Sequence, residues 1–210
     1  MNEAQADTIR RATQTTVMAA VAALLLGISL TTPARALTIA GIEIPGTLEV
    51  GEHLLTLNGA GLRKKLFVEA YVACLYVPQP GGDPRRILAA DEPQAVIMHI
   101  TSDMVTRDRL TAGLPKDLAR ATGNNMKPIK DRTERLLAMI DSEVASGDMF
   151  RLIYLPGQGT QIWHNDRFQG LIEGLEFKQA LFGIWLSDNP TQKSLKQDLL
   201  DPESVTALND

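Results

Sequence analysis

The residues best suited to chemistry are gathered in one stretch. In LNGAGLRKKLFVEAYVACLYVP, residues 57–78, Arg63 follows Gly59 and Gly61, and Tyr71 and Tyr76 stand in the apolar run beyond it. A guanidinium stays charged at physiological pH and offers five N–H donors in a flat fork that matches a carboxylate or an enolate. A tyrosine beside it would add a neutral donor. At the mouth of an apolar pocket, such a pair could hold an amphiphilic anion or stabilise a developing oxyanion. The alternative is an exposed strand-end cation, or one paired with Glu69 or another carboxylate.

Spacing limits this reading. Arg63 and Tyr71 share parity, so a regular strand turns both to one side. Eight residues of straight strand, however, hold them about 26 Å apart. They meet only if the chain bends or reverses between Lys64 and Phe67. Gly59 and Gly61 favour a bend or bulge before that interval, where backbone passes closely. Tyr71 and Tyr76 remain alternatives for the partner of Arg63.

Other chemistries find little support. His53, His99 and His164 lack metal-ligand spacing, and no Cys or carboxylate cluster completes a site. Cys74 is single and forms no internal disulfide. There is no Gly-x-Ser-x-Gly. GAGLRKK lacks the Gly-Lys-Ser/Thr of a phosphate loop and the third glycine of a dinucleotide fingerprint. PGQG at 156–159 reads as a hairpin turn. Arg107, Arg109, Lys127 and Lys130 read as solvated helix faces. No metal and no cofactor is implied.

The elements that must position these residues begin after a leader. Arg10 and Arg11 precede an apolar segment, Val17–Leu30, and Ala34-Arg35-Ala36 forms a small-x-small cleavage site. Residues 1–36 therefore read as a secretory signal peptide, shorter in its apolar part than a membrane span and leaving no stable anchor after cleavage. A chain exported without disulfides points to a bacterial periplasm. The leader is net +1, so the remainder carries −5 where the whole chain carries −4. That acidity argues against nucleic acid as a partner.

From Leu37 to Val77 the pattern is β. The run Phe67–Val77 is apolar at nearly every position and reads as a strand covered on both faces. Asp83-Pro84 opens a short helix, and QAVIMHI is a further strand. Thr106 caps a helix that Gly113 and Pro115 should split or kink. Ile129 to Val144 predicts one amphipathic helix stopped near Gly147. Residues 149–172 predict two or three antiparallel strands turning at PGQG and near Asn165-Asp166. LEFKQALFGIWLSD is a helix covered on most sides, SLKQDLL a short one, and 201–210 a flexible polar tail. This order gives an α+β domain over 37–200, an antiparallel sheet with helices layered on one face.

Three segments carry a family resemblance: LNGAGLRKKLFVEAYVACLYVP, YLPGQGT, and FKQALFGIWLSDNP with SLKQDLL. Together, and in this order, they resemble the bacterial chalcone isomerase-like proteins. The resemblance implies an open-faced β-sandwich with a ligand cleft between sheet and helices. It implies one of two activities: isomerisation of a chalcone-like phenolic substrate by intramolecular ring closure, or fatty-acid binding without catalysis. In both, the arginine of the Gly-x-Gly-x-Arg strand contacts the ligand's oxyanion or carboxylate, here Arg63. The enzyme's catalytic Thr falls at Tyr71, while the binding branch uses a Tyr beside its Arg, at Tyr71 or Tyr76. The enzyme's helical Tyr and Asn fall among Met104, Val105, Leu110, Ala112 and Gly113, and its last hydroxyl falls near Gly183 or Ile184. Only Arg63 carries over cleanly. The expectation is a binder of an amphiphilic anion such as a fatty acid, its apolar part lying against Phe67, the last long helix and the sheet.

Overall fold

A computed structural model describes residues 37–206. The signal-peptide reading of 1–36 and the last four residues of the tail lie outside the described residues.

Strand patterning dominates the first third. β1 (Leu37–Ile39) and β2 (Ile42–Ile44) form a small hairpin of their own. β3 (Thr47–Val50), β4 (His53–Lys65), β5 (Val68–Val77), β6 (Gln94–Ile100), β7 (Met149–Leu155), β8 (Gly159–His164) and β9 (Arg167–Ile172) make one antiparallel sheet, ordered as in the sequence. The helices arise in the longer connections and at the end. They are α1 (Pro84–Ala89), α2 (Arg107–Ala121), α3 (Lys130–Met139), α4 (Leu175–Leu186), α5 (Lys193–Leu199) and α6 (Pro202–Thr206).

Two-residue alternation sorts the sheet into two cores. On β5, Ala73, Leu75 and Val77 join a cluster with residues of α1 to α5. Val72, Cys74 and Tyr76 face the other way, against Ile44, Val50 and Leu57. The hairpin and Val205 of α6 contribute to that second, smaller core. From Ala70 on, β5 is almost wholly apolar because both of its faces are covered. The architecture is thus a curled antiparallel sheet with its main helical layer on one face.

Local signals explain several boundaries. The Asp83 carboxylate accepts from the Arg85 and Arg86 amides and starts α1. Thr106 caps α2 by accepting from Arg109 N. α2 is not split at Gly113 and Pro115. The proline removes one hydrogen bond, while Leu118 is fully buried and Leu114 packs on the core. α3 is shorter than its periodicity suggests. A 3₁₀ turn at Lys127–Ile129 precedes it, and Ile140 leaves helical geometry, its carbonyl accepting from Arg107 Nε at 2.9 Å. Val144 is nonetheless buried, from a loop. The tail also departs from expectation: 202–206 is helical because Val205 has apolar surface to cover.

α4 is buried nearly all round, and its Lys178 is 0% exposed. The Lys178 ammonium donates to the carbonyls of Ile87 (2.9 Å), Leu88 (3.1 Å) and Ala90 (2.9 Å). It thereby closes the C-terminus of α1, where backbone carbonyls lack helical partners. The rings of Tyr154 and Phe182 flank it at 5.4 and 5.7 Å.

Candidate ligand cavity

The chain reverses at Leu66–Phe67, a two-residue turn between Lys65 and Val68, which pair in register. The reversal makes Arg63 and Tyr71 cross-strand partners. The distance that a straight strand would impose is removed, and both side chains fall on the helix-covered face.

They border a cavity of about 490 Å³ between that face and the helices. Met98, Phe150, Leu152 and Ile162 line it from the sheet. Leu110 and Leu114 of α2, Leu136 of α3, and Leu181, Ile184 and Trp185 of α4 complete the walls. Among the described residues, the lining contains no histidine, cysteine, serine or glutamate, and its one carboxylate, Asp117, is paired with Arg120.

The polar groups are organised around Tyr71. Trp185 Nε1 donates to the Tyr71 hydroxyl oxygen at 3.0 Å. Burial pushes the phenol up to about 12, against the lowering effects of the Trp185 bond and of the Arg63 charge and hydrogen bond. Tyr71 is therefore neutral at physiological pH. Its oxygen already accepts from nitrogen donors, and its own proton has no acceptor among the described residues. It is poised to donate to a ligand.

Arg63 is half-buried and lines the cavity. Its Nη1 donates to the Lys64 carbonyl and to Gln192 Oε1, the latter at 3.0 Å. Gln192 is itself fixed: Oε1 accepts from Lys64 N at 2.9 Å, and Nε2 donates to Leu62 O and Ser194 Oγ at 3.1 and 2.8 Å. Glu69 pairs with Lys64 at 3.0 Å instead of with Arg63. Among the described residues, no carboxylate pairs with Arg63, and all its partners are neutral oxygens. Gln192, at the N-cap of α5, is a positioning residue that the sequence reading missed.

The glycines before Arg63 explain how α5 reaches this site. A bulge interrupts pairing between Leu57 and Gly59. A Cβ on Gly59 would lie 2.3 Å from the Asp198 carbonyl oxygen, and one on Gly61 2.6 Å from the Asp198 side chain. Only bare backbone lets α5 rest directly on β4.

With this geometry in place, the family can be read directly. A sequence model described as chalcone isomerase-like matches residues 36–201. The chain belongs to the chalcone isomerase-like family. Among solved structures, this family member is similar to the crystal structure of a fatty-acid binding protein from Arabidopsis thaliana. The TM-score is 0.63 at 13% identity, covering 83% of this chain and 98% of that one. Identity that low bears on the fold alone. No curated protein sequence matches.

The chalcone isomerase-like fold separates the other candidates from the cavity. Tyr76 lies on the opposite sheet face because it has opposite parity to Tyr71. Its hydroxyl donates to the Pro45 carbonyl at 2.9 Å, and burial raises its pKa. Phe67 is not in the apolar strand but at the turn before it, fully exposed and outside the cavity lining. Met104, Val105, Leu110, Gly113 and Ile184 do line the cavity, and none carries a hydroxyl or amide side chain. Gly183 instead packs towards Ala121, and Ala112 lines only the outer hollow. Cys74 is buried on the far face, its thiol pushed up to about 12 by burial and so unreactive.

His164 stands between Ser142 Oγ (3.0 Å from Nδ1) and Asp148 Oδ2 (3.1 Å from Nε2), stacked on Phe150. Neither cavity described here reaches this trio, and Asp148 also ties down Ala145 N and Asn165 Nδ2. It fastens the loop to the sheet. No group of metal-ligating side chains occurs among the described residues.

Proposed function

We propose that this protein is a non-catalytic periplasmic carrier of a fatty acid or a closely related amphiphilic anion. The observation that carries the proposal is a guanidinium that has no carboxylate partner among the described residues, beside a donor phenol, in the lining of an apolar cavity that opens to solvent. A cavity of about 490 Å³ falls within the usual range for small-molecule sites. Burying about ten methylenes contributes roughly 8 kcal/mol before ordering costs, so a modest head-group contact is enough. The Arabidopsis protein of similar fold is a fatty-acid binding protein, which supports the same ligand class. Absence of catalysis is supported by the lining: burial keeps its phenol protonated, and among the described residues its one carboxylate, Asp117, is held by Arg120.

Native mass spectrometry of gently purified protein tests the carrier reading. The expected result is a retained or readily added long-chain carboxylate, held about thirtyfold more weakly in Arg63→Ala. A protein that is empty and ignores added palmitate overturns it. Cell fractionation and N-terminal sequencing test the location, with a mature chain beginning at Leu37 in the periplasmic fraction expected.

The Arg63–Tyr71 pair also suits the enolate of a conjugated ketone, which favours a second reading as an isomerase. Turnover of 2′-hydroxychalcone above the buffer rate, abolished in Arg63→Ala, would establish it. Equal rates with and without protein would remove it for that substrate.

A further inference from the structure

The carrier reading leaves the tip of the β4–β5 hairpin unexplained. Leu66 is 90% exposed and Phe67 102% exposed. Two large apolar side chains thus occupy a turn that polar residues or glycine would ordinarily fill. Leu66 adopts φ 57°, a left-handed conformation in which a leucine is strained. Such strain marks positions held for a reason other than stability.

The tip is also the lip of the cavity. Lys65, Leu66 and Val68 line the cavity, and so does Met104, 50% exposed on another segment. An adjoining outer hollow of about 480 Å³ shares Arg63 and Lys65 and is bordered by Arg109, Lys116 and Arg120. Against these five cations stands Asp117 alone, already paired with Arg120. In a chain of net charge −4, positive charge is concentrated where the cavity opens.

We propose that this rim docks on an anionic lipid bilayer, with Leu66 and Phe67 wedged at the boundary between head groups and acyl chains. Lys65, Arg109 and Lys116 would then lie over lipid phosphates. The proposal rests on the carrier reading: with the mouth facing the bilayer, an acyl chain passes between membrane and cavity without crossing bulk water. The charge pattern selects the partner. A cationic ring around protruding apolar side chains complements an anionic surface with an apolar layer just below it. Attachment through a ring of cations and two apolar side chains is peripheral, reversible and weakened by salt.

Sedimentation of the purified protein with vesicles tests this. The vesicles are phosphatidylcholine alone or with about 30% phosphatidylglycerol. Binding is expected only to the anionic vesicles, and should fall as salt rises from about 50 to 500 mM. Phe67→Asp should cut the bound fraction about tenfold, and Lys116→Glu by a smaller factor. Oleate affinity, measured in solution by titration calorimetry, should be unchanged in Phe67→Asp, which also shows that the variant is folded. Equal binding to neutral vesicles, or wild-type binding by Phe67→Asp, overturns the proposal. A protein that binds oleate but no vesicle overturns the docking and leaves the carrier reading standing. One that docks as described yet never binds oleate supports the docking and removes the carrier reading.

Discussion

Two cations, Lys178 of α4 and Arg63 of β4, are treated differently. Lys178 is sealed in, and all three of its N–H donors end on backbone carbonyls of 87–90. Arg63 is half-buried at a cavity. One of its nitrogens is held by Lys64 and Gln192, and its charge meets no carboxylate among the described residues. A cation whose donors are all taken serves the fold. A cation held in place at a cavity, with no carboxylate partner among the described residues, is free to meet something that arrives from outside. Burial alone would rank these residues the wrong way round for function.

Four measurements can break or sharpen that contrast. Lys178→Met should show the largest effect. It leaves buried carbonyls without a donor and should lower the urea-unfolding stability by about 3 kcal/mol. Oleate affinity per folded molecule should not change, and an affinity loss would erase the distinction. Arg63→Ala should do the reverse. Oleate binding should weaken by about 2 kcal/mol, near thirtyfold, while stability moves by less than about 1 kcal/mol. Calorimetry and urea midpoints on the same sample give both numbers. Tyr71→Phe removes one donor from the same cluster and should weaken oleate by about 1 kcal/mol, with Trp185 Nε1 losing its acceptor.

The smallest effect is a pH slope. Burial lowers Lys178 from 10.5 to about 8 in the folded chain. Between those values the unfolded chain holds a proton that the folded chain has released. Stability contributed by this group therefore rises with pH through that window and is lost as pH falls through about 8. Tyr71 acts with opposite sign above 10.0, because its folded value is raised to about 12. From pH 8 to 10, wild type should gain stability relative to Lys178→Met. Parallel curves would show that the lysine does not titrate there.

Much of the fold was legible because the signals were local. Asp83-Pro84 and Thr106 mark helix starts through side-chain caps, and the apolar run of β5 announces a strand covered on two sides. The placement of Arg63 beside Tyr71 followed from their shared parity once a reversal brought them together. The reversal at Leu66–Phe67 was not legible: neither residue has turn chemistry, and their side chains extend the apolar run. That is why Phe67 was read as part of the ligand's wall. Gln192 was hidden because its role depends on a contact 129 residues away. Lys178 was hidden for a related reason, as its three acceptors lie about 90 residues earlier. Of Tyr71 and Tyr76, only one could share a face with Arg63, and the register set by the unrecognised turn decides which.

The seat of α5 on the bare backbone of Gly59 and Gly61 also sets an order in time. Arg63 leaves the ribosome 129 residues ahead of the amide that steadies it. The wall formed by Leu181, Ile184 and Trp185 is likewise translated near the end. A nascent chain can build its sheet early, but it has no finished mouth until synthesis has passed Gln192. On the carrier reading, any ligand would be loaded after translation, and a chain cut short before α5 would keep its strands but lack the Gln192 contact to Arg63.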